Sequence, residues 1–437
     1  MSLVLLMLAT GCAEQAETRV QPALKVLAAS QAEFDRNYGD YIAAAFPELE
    51  VTVIETNAAN PVGITEAQVE QLLQAEQPDL ICIAFNPNLY RGLAADGLLT
   101  DLSASMKADG LAETDYYAGM IEGLRIDGTL YGLAPTFQTS SIVYNPALFQ
   151  QYGITPPRNG LTSEELYALA NEFALAGSGG AGVAGLHLDH VDRPFDHLWN
   201  FGMREGMTLF NMKTGKVTVD TPHWARFVGT LLQSYRLGTF KLRPDESGSG
   251  IEQSFNEGKA AMSIEVFNTS ELYAFAGVGQ ERAFPVGKAV GPLGMDSPNR
   301  SDDIYFPGVL AIPAGAKETE LAWTVTKFLM SDYMAKVWNA LSNSNLPSNR
   351  AYMKYNDDPV LPGLYELLPK PAFPLDTLNG DYDPKFMTRF GELVNREFEV
   401  AVANGIGAKE LVRTLQSEGQ ELLEAHKLAP GTRKRGS

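Results

Sequence analysis

Eleven residues, HLDHVDRPFDH (187–197), set three imidazoles, His187, His190 and His197, among three carboxylates, Asp189, Asp192 and Asp196. Imidazole nitrogens and carboxylate oxygens are zinc ligands, four of them closing a tetrahedron. Their intervals match no standard zinc spacing. The plainer reading is a polar loop beside a cleft, and no metal is assigned. NGDYD (379–383) places oxygen ligands two residues apart, as calcium loops do, but its glycine is misplaced for an EF-hand. GAGVAG (180–185) has the dinucleotide glycine spacing in letters only, since it follows a helix and precedes LHLDH. The chain holds no Gly-x-Ser-x-Gly elbow, no His-Glu-x-x-His pair and no Walker sequence. Counting carboxylates does not exclude a glycosidase pair. No catalytic residue and no cofactor is assigned.

A different chemistry opens the chain. LATGC (8–12) ends a short oily run and precedes the polar AEQAET. The run is well short of the ~20 residues that span a bilayer. It suits the apolar part of a secretory signal, with small residues Ala9, Thr10 and Gly11 before a cut. Small residues followed by cysteine resemble the lipobox of bacterial lipoproteins. That resemblance implies that residues 1–11 are a signal peptide, that Cys12 carries a diacylglycerol, and that residues 12–23 are a tether. Acyl chains at one new N-terminus give stable anchoring where a single chain does not. The protein is then exported and held on the outer face of the cell membrane. The alternative is a plain cleaved signal, or a tail with an incidental cysteine.

Composition narrows the partners. The chain has 437 residues, 45% of them hydrophobic, and a formal net charge of −19. Nucleic-acid binding is driven by Lys and Arg on phosphates, so this balance argues against it. Cys82, in the apolar run LICIAF, is the one cysteine besides Cys12. It reads as a small buried hydrophobe, and no disulfide forms within a mature chain. A large core must supply stability, and the length allows one.

The elements that would position any site alternate strand and helix. LKVLAAS (24–30), EVTVIET (50–56) and PDLICIAF (78–85) read as strands. Between them lie a helix over 32–46 and TEAQVEQLLQAEQ, which puts Val69, Leu72 and Leu73 on one face. This is the pattern of βαβ units and a mainly parallel sheet. Ligands of such sheets bind beyond the carboxyl ends of the strands, here Ser30 and Gln31, and Asn86, Pro87 and Asn88. Asp127-Gly128 predicts a hairpin turn and SIVYN a new strand. Thr162 and Glu165 predict a capping box on a helix with Leu166, Leu169, Ala170 and Phe173 inward and Gly177 as its stop. Near the end, Phe386, Phe390, Leu393 and Val394 stripe one helix, stopped by Gly405. Leu411, Val412, Leu415, Leu422 and Leu423 stripe another.

DGTLYGLAP…IVYNPALFQQYGITPP…LTSEEL resembles the extracellular solute-binding proteins that feed ABC importers, the group that includes maltose-binding protein. FNEGKAAMSI (255–264), GVLAIPAGAKETELAWTVTKFLMS (308–331) and NSNLPSNRAY (343–352) resemble later family segments in the same order. The resemblance covers residues 24 to about 425. It implies a periplasmic-binding-protein-like α/β fold of two lobes, joined by crossing hinge strands around a ligand cleft. The crossings it implies lie at Ala134-Pro135-Thr136, near Ala261 to Glu265, and after Val309 to Pro313. Lobe one is then 24–135 plus 262–313, lobe two 136–261 plus 314–427, and 428–437 a disordered tail. By family position, Phe267 matches a cleft aromatic with Glu265 beside it. Phe195 and Trp199 match an aromatic segment of lobe two, and Tyr382 the late aromatic contact. Tyr305 and Phe306 precede the third crossing, and Phe137 and Gln138 follow the first. With Gln31 and Asn86 these make the candidate ligand set, and about half of its aromatics would face ligand while the rest pack in the core or rim.

The implied function is hinge closure over a small solute, a carbohydrate or oligosaccharide by preference, and delivery to an ABC permease by a monomeric, lipid-anchored protein. One alternative is the same scaffold carrying a metal complex, a polyamine or an organophosphate. Arg193 or Arg204 would then serve an anion and the histidines a metal. The other is a secreted α/β hydrolase.

Overall fold

A computed structural model describes residues 21–56, 64–188, 191–242, 255–267, 272–275, 278–281, 284–340, 345–354, 356–370 and 382–428. Cys12, the signal segment and most of the tether lie outside the described residues, as do Asp189, His190, positions 379–381 and the tail beyond 428.

Two sheets carry the fold. The first has five strands in the order Glu50–Glu55, Ala23–Ala28, Leu80–Ile83, Val309–Ala311 and Gly132–Leu133. Ala23–Ala28 pairs in parallel with both neighbours, so Leu24, Val26 and Leu27 are covered on both faces of the sheet. The strand Val309–Ala311 runs antiparallel to both of its partners. Thr65 and Gln68 close a capping box that starts the helix Glu66–Glu76. The expected 32–46 helix is interrupted by a π turn, Asp35–Gly39, between Gln31–Phe34 and Asp40–Ala45. Asp127 and Gly128 both take positive φ, 47° and 87°, the geometry of a hairpin turn whose twist matches its strands.

The second sheet has Ser140–Tyr144 at its centre, antiparallel to Met262–Val266 and Gly287–Ala289. Its buried residues Ile142, Met262 and Ala289 join a core built from helices Ser163–Leu175, Pro194–Glu205, Pro222–Leu237, Lys385–Asn404 and Ala408–Ala425. Within it, Phe201 stacks on Phe227 at 3.5 Å between ring centres. The Thr162–Glu165 capping box is present with both of its bonds. Each sheet thus anchors its own α/β lobe.

The two cores divide the chain differently from the expected boundaries. Residues 262–266 and 287–289 belong to the second lobe, because both strands pair with Ser140–Tyr144. The described residues of 314–340, 345–354 and 356–367 belong to the first lobe rather than the second. Ala322, Val325 and Leu329 of the helix Thr319–Leu329, and later Tyr352, Leu361 and Tyr365, all enter the first core. A carboxylate explains that docking. Asp79, 5% exposed before the third strand, accepts the backbone N–H groups of Lys317 (3.1 Å) and Glu318 (3.0 Å) on one oxygen. Its other oxygen accepts the N–H of Lys25 at 3.0 Å. One charge therefore ties a helix start to the central strand.

Among the described residues, the chain passes between lobes after Phe137, after Ala289 and after Leu367, and Phe267 also packs on the first core. These connections are bonded side by side. Gln138 and Tyr305 exchange backbone bonds of 2.8 and 3.0 Å, and Arg300–Ser301 pairs in parallel with Leu368–Pro369.

Charged hydrogen bonds contribute roughly 1.5–3 kcal/mol each, and three part-buried ones would be lost together here. Asp79→Ala is therefore expected to lower unfolding stability by about 3 kcal/mol or more. Urea denaturation followed by circular dichroism would measure it, and a change below about 1 kcal/mol would contradict the docking role.

Candidate functional site

A cavity of about 470 Å³ opens beyond the carboxyl end of the strand Leu80–Ile83. That volume lies within the range of small-molecule sites. The first lobe supplies Phe85, Tyr90 and Arg91 to its wall, the last two from the helix Pro87–Ala95. The second lobe supplies Met203 and Gly206 at the end of the helix Pro194–Glu205. The hinge connections supply Arg300, Asp302, Tyr305, Phe306, Pro369 and Lys370.

The aromatic side of this wall is ordered by packing. Phe85 meets Phe306 edge-on at 5.5 Å and Tyr90 at 5.7 Å, and the Phe85 N–H donates to the Phe306 carbonyl. Tyr90 donates its hydroxyl to the Leu124 carbonyl, 2.8 Å away, and burial pushes its phenol well above the ordinary range. Phe306 is 1% exposed, whereas Tyr305 is 37% exposed and free to meet a solute.

The charged side is paired in part. Arg300 contacts Glu122 at 2.6 Å and the Pro369 carbonyl at 2.7 Å. Arg125 reaches Glu113 and the Gly128 carbonyl. Behind the wall, nearly buried Arg204 holds Asp303 at 2.7 Å and Asp302 at 3.7 Å. Burial pushes the Asp302 carboxyl up and the Lys370 ammonium down from their usual ranges.

Of the candidate ligand residues, Tyr305 and Phe306 line the cavity. Asn86 stands beside it, but its side-chain oxygen caps the next helix by accepting from the N–H groups of Asn88 and Leu89. Gln138 sits in the hinge, its amide 2.7 Å from the Asn345 oxygen. Gln31 is exposed and donates to Glu55 and Asp35. Phe137 and Phe267 prove to be core residues. Phe137 is fully buried, stacked 3.9 Å from Tyr117, and Phe267 is 1% exposed beneath the Lys288 ammonium. Glu265 lies half-buried on the second sheet opposite Ser141. Phe195 packs against Phe390 and Gly391, Trp199 against Phe210, and Tyr382 against Lys427 and Gly215. Glu265, Phe195, Trp199 and Tyr382 are not in the cavity wall.

His187 and His197 sit in different surroundings. His197 is 1% exposed, with Nδ1 2.7 Å from the Tyr167 hydroxyl and its ring 4.4 Å from that of Phe240. His187 lies beside Ser263 at the second sheet. Among the described residues, the carboxylates and imidazoles close enough to share a metal are Glu66, Glu70 and Asp96, so His187, Asp192, Asp196 and His197 form no such group.

Sequence reasoning missed Phe85, Tyr90, Arg91, Arg300 and Lys370. Phe85 had a signal, as the neighbour of Asn86 at a strand end. Arg300 and Lys370 had none, since only the pairing of two connections brings them to the wall.

The sequence pattern of the family described as bacterial extracellular solute-binding protein matches residues 28–335. The chain belongs to this family. It is therefore a solute-binding protein of the kind that serves ABC importers, and not an enzyme. Among curated proteins none matches the sequence. Solved structures share its fold. The sugar-binding protein MalE from Xanthomonas citri has 15% identity and a TM-score of 0.59, over 92% of this chain and 98% of its own. The maltose-bound MalE3 of T. maritima has 17% identity and a TM-score of 0.54, over 92% and 99%. A solute-binding protein from Agrobacterium radiobacter in complex with ribitol has 18% identity and a TM-score of 0.53, over 92% and 98%. Among the described residues, no helix is long and apolar enough to cross a membrane.

Burial pushes the His197 imidazole down to about 3, so the folded state holds it neutral. Below the unfolded value near 6.5, the unfolded chain binds the extra proton, and stability falls by about 1.4 kcal/mol per pH unit. Between pH 6.5 and 5 the protein should lose roughly 2 kcal/mol more than His197→Phe does. Parallel urea titrations at the two pH values measure this, and identical losses would contradict the burial.

Proposed function

We propose that the protein captures a carbohydrate in the 470 Å³ cavity by closing its two lobes, and hands it to an ABC permease from a lipid anchor at Cys12. The observation that carries this reading is the composition of the wall. Tyr305 and half-buried Phe85 offer rings to the C–H face of a sugar, with buried Tyr90 and Phe306 packed behind them, while Arg91, Glu122 and Asp302 offer planar groups to its hydroxyls. Each aromatic contact adds about 0.5–1.5 kcal/mol beyond burial, so several together give useful affinity.

Closure follows from where those groups sit. A solute that touches only one lobe shifts no equilibrium, whereas one that bridges both favours the closed state by the added contacts. Met203 and Gly206 bring the second lobe to a wall built mainly by the first lobe and the hinge. Trp199 lies one helical turn before Met203, so it is the next second-lobe aromatic that closure would bring to a longer saccharide. Gln138, in the hinge, would sense the same movement.

The maltose and ribitol named for the structural neighbours agree with a polyhydroxylated solute. The small residues before Cys12 support lipidation, which would leave the acidic, monomeric domain tethered near its permease.

Calorimetry with a panel of mono-, di- and trisaccharides and polyols tests the reading. Stoichiometric binding without consumption of the sugar is expected, weakened roughly tenfold by Tyr305→Ala, or about 1.4 kcal/mol. Failure of every saccharide to bind, or an unchanged affinity in Tyr305→Ala, would contradict it.

A further inference from the structure

The cavity wall runs against the charge of the chain. Acidic residues outnumber basic ones 53 to 34 overall, yet this wall carries Arg91, Arg125, Arg300 and Lys370 against Glu122 and Asp302. Ion pairs consume part of the excess. Arg300 lies against Glu122 and Arg125 against Glu113, so each pair is close to neutral. Asp302 is held from behind by Arg204, which also takes Asp303.

Two cations remain. Arg91, exposed on the helix Pro87–Ala95, makes no ion pair or side-chain hydrogen bond among the described residues. Lys370 is half-buried on the third connection, its backbone fixed by donation to the Ser301 carbonyl. Its ammonium also makes no ion pair or hydrogen bond among the described residues. The carboxylates of Asp302 and Glu205 favour its charge from a distance, but desolvation outweighs them. A partly desolvated ammonium without a contact partner is a poor resting arrangement, and an anionic group beside it would relieve the cost. A charge-assisted hydrogen bond is roughly twice as strong as a neutral one, so such a group would outweigh an added hydroxyl.

Resting on the carbohydrate reading above, we infer that the solute is an acidic saccharide, its fixed negative charge seated between Arg91 and Lys370 with its ring on Tyr305. The charge can come from a carboxylate, as in a uronic acid, or from a phosphate ester. Both present oxygens to the same two cations, and the guanidinium of Arg91 suits either in a bidentate contact.

Calorimetry on the full chain compares digalacturonic acid, a hexose phosphate and size-matched uncharged disaccharides. At least one acidic ligand should bind tenfold or more tightly than its neutral counterpart, and which one does so identifies the source of the charge. That ratio should fall about tenfold in Arg91→Ala and in Lys370→Gln, and shrink as salt is raised. Arg91 is exposed, so its truncation reports on binding even where Lys370→Gln lowers stability. Neutral disaccharides binding as tightly as acidic ones, or a ratio unchanged in both variants, would overturn the inference and leave the carbohydrate reading intact. Binding of no saccharide of either kind would overturn both.

Discussion

Three lengths of backbone join two separately packed lobes, and they are hydrogen-bonded to one another. Gln138 exchanges two bonds with Tyr305, and Arg300–Ser301 pairs with Leu368–Pro369. This ribbon is the constraint on which the site depends. Each lobe has its own core of buried residues. Relative motion is then limited by the backbone that crosses. Hinges of this kind absorb rotation in a few residues while the lobes move as units. The ribbon also contributes wall. Tyr305, Phe306, Arg300, Pro369 and Lys370 all belong to it or adjoin it, so in the proposed closure the groups that would meet a solute ride on the part that bends.

Electrostatics fastens the second lobe to this ribbon at one corner. Arg204, at the end of the helix Pro194–Glu205, grips Asp302 and Asp303 of the second connection. The neighbouring Glu205, its side chain nearly buried, accepts the Met295 N–H at 2.9 Å. Burying such charges costs several kcal/mol per ion, which close pairing offsets but rarely exceeds. The arrangement therefore specifies where the helix end sits more than it stabilises the fold. Since Met203 and Gly206 flank Arg204, the same contact sets how the second lobe approaches the cavity.

Local structure was legible in the sequence because its causes are local. The Thr162–Glu165 capping box, the Asp127-Gly128 turn and the stripes of the last two helices all form where residue type and spacing place them. Lobe membership was not legible. The apolar stripe of Thr319–Leu329 says that the helix packs, but not on which core. Asp79, 238 residues away, holds the start of that helix against the first lobe. The aromatics divide for a similar reason. Phe137 and Tyr305 are close in space and both apolar enough to bury, yet Tyr117 offers Phe137 a stacking partner, while Tyr305 stays partly open to solvent. Residue type pointed to the aromatics, and side-chain direction, which no motif encodes, decided which of them line the cavity.

The central claim is that two rigid lobes turn about a paired backbone ribbon to enclose a solute. Small-angle X-ray scattering of the protein with and without a saturating saccharide tests it most directly. The account predicts a smaller radius of gyration in the bound state, with a scattering curve fitted by rotating one lobe about residues 138, 300–305 and 368–370. Superimposable curves from free protein and from protein shown to be saturated would contradict it.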